Sequence, residues 1–157
     1  MFWRIPRKRY EAQKGTGNKR AFKAIVDSGK KPGVLAYNGK EPIAWCALAP
    51  RSDYIGLANS RILQPVDEKQ VWSISCLFVK KEYRRKGVSA EILRAAVEFA
   101  GRRGALTVEG YPVETSTQKM ADAFLWHGTV SAFKAAGFSE VVRRSPTRPI
   151  MRFELTR

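Results

Sequence analysis

The order of apolar and polar positions along the chain predicts helices and strands in alternation. Residues 1–17 show no period and are expected to be irregular. Asn18 stands as an N-cap before "KRAFKAIVDS", where Phe22, Ile25 and Val26 recur at helical spacing and predict a buried stripe, with Gly29 as the stop. "VLAYNGKEPIAWCALAP" holds two apolar runs around Asn38 and Gly39. That dipeptide tolerates positive φ and predicts a hairpin, with strands near 34–37 and 42–49 and Pro42 at a strand start or a bulge. Residues 51–60 read as a loop with a short helix, and 61–70 as a connection. "VWSISCLFV", 71–79, is apolar and β-branched and predicts a central strand.

In "VSAEILRAAVEFAGRRG" the residues Val88, Ile92, Ala95, Ala96 and Phe99 predict a long helix, closed by Arg102, Arg103 and Gly104. "ALTVEGYPV" reads as another strand. "ETSTQKMADAFLWHG" has no period and is expected to be a mobile loop. "TVSAFKAAG" predicts a short helix stopped by Gly137, and "FSEVVRRS" and "PIMRFELT" predict two strands joined at "PTRP". Strand–helix–strand in the middle implies a parallel pair with a right-handed crossover, and hairpins at both ends imply antiparallel neighbours. The expectation is one α/β (α+β) domain over residues 1–157, with a mixed, mostly antiparallel sheet flanked by helices.

Composition narrows this little until charge is counted. Lys and Arg number 29 against 14 Asp and Glu, a formal charge of +15. Such an excess predicts attraction to phosphates, whether of a nucleotide cofactor, a nucleic acid or an acidic substrate. No apolar run is long enough to span a bilayer, so no membrane partner is expected. The basic N-terminus lacks the apolar core of a secretory signal. Cys46 and Cys76 sit in apolar runs without CxxC spacing and read as buried reduced thiols, consistent with a cytoplasmic protein. One histidine and scattered carboxylates predict no metal site.

The octapeptide "EYRRKGVS", Glu82 to Ser89, joins the predicted central strand to the long helix. The first amides of a helix have no internal partner, and Gly87 lets a ligand approach the backbone. A pyrophosphate fits there, with amides from Arg85 to Ala90, including those of Val88 and Ser89, as donors and with charge from Arg84, Arg85 and Lys86. A solvated basic turn explains the same residues. Neither the Walker pattern nor GxGxxG is present.

In its wider context, "FVKKEYRRKGVSAEILRAAVEFA" resembles the acetyl-CoA-binding motif of the GNAT superfamily of N-acetyltransferases. Arg84, Gly87 and Ser89 match the loop pattern Arg/Gln-x-x-Gly-x-Gly/Ala, with Ser at the last place. "TVSAFKAAGFSEVV" resembles the family's short helix ending in Gly137-Phe138 before a strand, and "GYPV" and "RRSPTRPIMRFE" are similar to a bacterial subgroup. The resemblance implies a sheet whose parallel pair splays apart to hold acetyl-CoA. Leu77, Phe78 and Val79 would then line the pantetheine arm, with the Val79 amide on the developing oxyanion. It implies direct attack by an amine, without a covalent acyl-enzyme. Two positions depart from the family. Phe133 stands where a general-acid tyrosine is common, and Trp126 where a cofactor-binding asparagine often stands.

For the base, Glu109 through a water is the candidate, and Tyr111 is a candidate acid or substrate contact. Each also reads as a residue of strand or core. His127 reads as packing or catalytic, and Cys76 lacks a basic partner in the sequence. Arg143, Arg144 and Arg148 surround a turn, where they could meet an acidic substrate or the cofactor's 3′-phosphate, or simply solvent. The expected partners are acetyl-CoA and an amine, whether a small molecule, a peptide or aminoacyl-RNA, with a homodimer common in the family. The alternatives are an acyl-CoA sensor without turnover and a basic nucleic-acid-binding module.

Overall fold

The structure is a computed structural model that describes residues 1–115 and 125–156. Two helices open the chain, α1 (Arg7–Ala12) and α2 (Thr16–Asp27), followed by the hairpin β1 (Gly33–Asn38) and β2 (Glu41–Pro50). A 3₁₀ turn at Arg51–Asp53 and the short α3 (Ile55–Ala58) lead to β3 (Trp72–Val79). After a second 3₁₀ turn at Lys81–Tyr83 come α4 (Val88–Gly101), β4 (Thr107–Gly110), α5 (Val130–Ala135), β5 (Ser139–Arg143) and β6 (Pro149–Glu154). The six strands lie in the order β1-β2-β3-β4-β6-β5. Among the described strands β3 and β4 pair in parallel and the other neighbours are antiparallel. The expected mixed sheet is therefore present. The mobile loop expected at 114–128 lies largely outside the described residues.

Strand alternation sends side chains to opposite faces. On one face Cys46, Leu48, Ile74, Leu77 and Val79 meet Ile92, Leu93, Ala96, Val97 and Ala100 of α4, with Val130 and Phe133 of α5. Each large side chain sealed there contributes about 1.5–3 kcal/mol. On the other face Ala49 and Tyr111 pack with Tyr54, Leu57, Leu63 and Ile150, covered by Trp3, Ile62 and Val66.

The N-terminal region departs from expectation. Residues 7–12 are helical, and α2 starts at Thr16 behind Gly15 (φ 76°), not at Asn18. Asn18 bonds backward: its Nδ2 donates to the Tyr10 carbonyl and its Oδ1 accepts from Gln13. The expected stripe on α2 is not buried. Phe22 leans on Trp45 with ring centroids 5.9 Å apart, while Val26 stays 48% exposed. In the hairpin only Gly39 takes positive φ (58°), and the register steps from Ala36↔Ala44 to Tyr37↔Pro42, which leaves Ile43 as the extra residue and puts Pro42 in a bulge of β2, as expected.

Candidate functional site

The central sheet parts just after β3 and β4 meet. Their pairing runs Trp72↔Val108, Ser73↔Glu109, Ile74↔Gly110 and stops. At the same level the β2 register jumps from Ala47↔Cys76 to Leu48↔Ile74, leaving Ser75 as the extra residue of a bulge. A bulge bends its strand and ends regular pairing. Beyond it, the Leu77 amide donates to the Trp126 carbonyl at 2.7 Å. The Lys80 amide donates to the Ile43 carbonyl at 2.9 Å, which makes Ala44 and Val79 a pair that exchanges no hydrogen bonds with each other. The Val79 amide therefore points away from β2, into the parting, and meets no acceptor among the described residues. Of the three residues expected to line this strand, Val79 alone offers an open N–H. The Leu77 amide is occupied, and the Phe78 backbone is turned toward β2, with its side chain 51% exposed.

The basic loop closes the far end of that parting. Arg84 is extended and its Nε donates back to the Val79 carbonyl at 2.9 Å. Arg85 (φ 58°) and Gly87 (φ 80°) both take the left-handed conformation. For Arg85 that conformation costs about 1–2 kcal/mol. It also turns successive amides the same way, the geometry of an anion-binding nest. Among the described residues the amides of Arg85, Lys86, Gly87, Val88 and Ser89 meet no acceptor. The expected run of donors is one residue too long. The Ala90 amide, like that of Glu91, turns inward to the Gly87 carbonyl, at 3.0 and 3.2 Å. Arg84, Arg85 and Lys86 are exposed around this helix start.

Glu109 and Tyr111 occupy a different place from the one expected of a base and an acid. Both are fully buried. Glu109 accepts from Arg51 at 3.0 Å, from the Tyr111 hydroxyl at 2.8 Å and from Arg152 Nε at 2.8 Å. Arg152 also holds Asp67, at 2.6 and 3.0 Å, and Arg51 donates to the Leu63 carbonyl. Tyr111 accepts from Arg51 and shares a 2.8 Å bond with Ser73. Burial, then the Glu109 charge, pushes the Tyr111 hydroxyl far above its ordinary range. With every oxygen engaged and no exposed surface, these two residues tie the 51–67 connection to the sheet. Arg51, Arg152 and Asp67 carry no local signal for this role, because each partner is supplied by the fold.

The remaining candidates separate cleanly. Phe133 is fully buried against Gly110, Gly128 and Phe138. Burial raises both thiols, Cys46 and Cys76, away from the reactive thiolate. Arg143 pairs with Glu140 and Glu114, and Arg144 donates to the carbonyls of Gln64 and Pro65. Arg148 instead faces His127, with Nη1 3.0 Å from Nδ1 and Nη2 3.2 Å from Nε2. His127 is 4% exposed, and burial, then Arg148, pulls its pKa down to about 3, so the ring is neutral. Trp3 completes the group, its indole N–H 3.2 Å from His127 Nε2. Trp126 stacks on His127 with centroids 3.5 Å apart and meets the edge of Phe2 at 5.6 Å. A surface cavity lined by Lys69, Thr107 and Glu154 lies at the start of β4, the opposite end of that strand from the parting.

A mixed sheet parted at a parallel pair, with a nest of open amides at the helix start beside it, places the chain among α/β folds able to hold a phosphate at a strand–helix junction. The model of the "Acetyltransferase (GNAT) family" matches residues 1–124. The chain therefore belongs to the GNAT acetyltransferase family. Solved structures share the fold at low identity. The NatC complex bound to Gag peptide and CoA has 13% identity and a TM-score of 0.57, covering 87% of this chain and 79% of that one. PaiA N-acetyltransferase from Thermoplasma acidophilum in complex with coenzyme A has 14% identity and a TM-score of 0.56, covering 94% and 77%. The ribosomal-protein-S18-alanine N-acetyltransferase from Escherichia coli has 14% identity and a TM-score of 0.51, covering 86% and 77%. No curated protein sequence matches the chain. Family membership and the CoA-bound neighbours support acetyl transfer with acetyl-CoA as cosubstrate. Among the described residues no helix is long and apolar enough to cross a membrane.

Proposed function

We propose that this chain moves an acetyl group from acetyl-CoA to a primary amine by direct attack. The observation that carries the reading is the pairing of two sets of open donors: the Val79 amide inside the parted sheet, and the amides of Arg85 to Ser89 at the start of α4. The nest, with Arg84, Arg85 and Lys86, holds the pyrophosphate. Leu77 and Phe78 flank the pantetheine arm. The Val79 amide stabilises the oxyanion of the tetrahedral intermediate, a contribution of about 3 kcal/mol for one such donor. The new C–N bond forms as the amine adds to the acetyl carbon. The C–S bond then breaks and coenzyme A leaves as the thiolate, which takes its proton from solvent because Phe133 has none to give. With Glu109 and Tyr111 sealed in their cluster, the attacking amine also loses its proton to water, and the cationic surroundings favour its neutral form.

Calorimetric titration with CoA and acetyl-CoA, paired with a thiol-release assay over a panel of small amines, peptides and aminoacyl-RNA, tests this. Both nucleotides should bind, and kcat/KM should rise with pH as the acceptor's own amine deprotonates. Absence of both heat and thermal stabilisation at about 1 mM CoA overturns the proposal. Phe133 favours a second reading, an acyl-CoA sensor; binding without turnover of any amine would select it.

A further inference from the structure

Three N–H donors converge on the His127 ring: the Trp3 indole and two guanidinium nitrogens of Arg148. A neutral imidazole offers one lone pair and one N–H of its own. If Nε2 holds the lone pair, Trp3 and Arg148 Nη2 compete for it, while Nη1 faces an N–H at Nδ1. If Nδ1 holds it, Nη1 is satisfied and the other two donors face an N–H. Neither tautomer supplies enough acceptors. The charge is unbalanced as well. Arg148 forms no ion pair among the described residues, whereas Arg143 of the same turn reaches two carboxylates. Desolvation also works against the Arg148 charge, lowering its pKa. A half-buried guanidinium with surplus donors and no counter-ion is a receptor for an anion.

Its position gives the anion a purpose. His127 follows Trp126, whose carbonyl binds the Leu77 amide, and Leu77 is two residues from Val79 on β3, roughly 6.5 Å along the strand. The receptor therefore lies within the length of a small molecule from the amide assigned to the reacting carbonyl. Trp126 and Phe2 supply an aromatic wall beside it. Arg148 and Trp3 both keep partial exposure. Resting on the transferase reading above, we propose that Arg148 and Trp3 bind an anionic group of the acceptor, so that the acceptor is an amine bearing a carboxylate. Arg148 presents two parallel N–H groups, the fork that a carboxylate matches, and the Trp3 indole adds a third donor.

Matched probes test this: the α-amino acids against their amides, and O-phosphoethanolamine against ethanolamine, each assayed for thiol release with saturating acetyl-CoA. The carboxylate form of the best probe should exceed its amide in kcat/KM by about ten- to a hundredfold, chiefly through KM. Arg148→Met should collapse that ratio without changing the KM for acetyl-CoA, and Trp3→Phe should reduce it in part. Equal turnover of acid and amide overturns the proposal, as does an equal loss of both in Arg148→Met or a preference for the phosphate-bearing amine. Independently of turnover, the Trp3 indole N–H resonance, assigned through Trp3→Phe, should shift on titration with acetate in the wild type and not in folded Arg148→Met. No shift up to about 200 mM acetate also overturns it. Calorimetry with CoA is read separately. A protein that shows the acetate shift but binds no CoA retains the anion receptor and loses only the transferase reading.

Discussion

A methyl group on Gly110 would sit 2.1 Å from Cε1 of Phe133, far inside contact distance. Gly110 is the last residue of β4 paired with β3, so the strand ends where an aromatic ring needs its bare backbone. Gly110→Ala should destabilise the protein at the upper end of the roughly 1–3 kcal/mol typical of overpacking, read as a lowered urea midpoint. His127 makes a second prediction at this scale. Its folded pKa of about 3 lies below the ordinary value of 6.5, so between those pH values the unfolded chain binds a proton that the folded one does not. Stability from this group is full above pH 6.5 and declines as pH falls, by at most about 1.4 kcal/mol per pH unit. Urea titrations between about pH 6.5 and 5.5, above the ordinary carboxylate range, should show that slope. A folded His127→Gln variant should lack it. Neither dependence is visible in the sequence, because Gly110 meets Phe133 and His127 meets Trp3 and Arg148 only after folding.

At the level of elements, the start of α4 carries the clearest prediction. Ser89 sits in the first turn beside the open amides, where a carboxylate interacts favourably with the helix dipole. Ser89→Asp should leave stability unchanged or raise it by about 0.3–1 kcal/mol, yet weaken CoA binding in calorimetry by repelling phosphate. Unchanged CoA affinity in that variant would remove the nest from the binding site. The chain Arg51–Glu109–Arg152–Asp67, buried at Glu109 and Arg152 and reaching the surface at Asp67, carries the opposite expectation. Glu109→Gln strips the shared charge from two arginines and should cost about 3–5 kcal/mol. Any variant protein that remains folded should keep the wild-type pH–rate profile, whereas loss of an acidic limb would restore Glu109 as a base.

The elements legible in the sequence were those with a local signature. The β1–β2 hairpin shows its turn, α4 its period and its glycine, and the β5–β6 pair its break at "PTRP". Helix α1 was not legible, since "RKRYEA" has no apolar period and buries no residue. The stripe on α2 was misleading because the helix meets the sheet mainly through Phe22. The phosphate nest was legible because strand, loop and helix are adjacent in the chain. The Glu109 cluster was not, because its members come from residues 51, 67, 73, 109, 111 and 152.

Across the whole molecule the charge is unevenly spread. Residues 1–31 hold ten Lys and Arg against two acids, Glu11 and Asp27, so a fifth of the chain carries +8 of the formal +15. Glu11 is shared by Arg7 and Lys14, and Asp27 is taken by Lys23. Lys8, Arg9, Lys19, Arg20 and Lys31 form no ion pair among the described residues. Exposed ion pairs contribute little, about 0–1 kcal/mol each, so their weakening by salt is small beside the relief of repulsion among like charges. Stability should therefore rise as sodium chloride increases from about 10 mM to about 300 mM, over which the screening length shortens from roughly 30 Å to below 10 Å. A variant with Lys8, Arg9, Lys19 and Arg20 changed to Gln should show a flatter rise. Pyrophosphate at matched ionic strength adds a separate effect, because binding to the folded state stabilises by mass action where screening alone cannot. That extra stabilisation should persist in the quadruple variant, which leaves the α4 nest intact, and diminish in Ser89→Asp. The reverse pattern would place anion binding on the N-terminal helices instead of at the parted sheet.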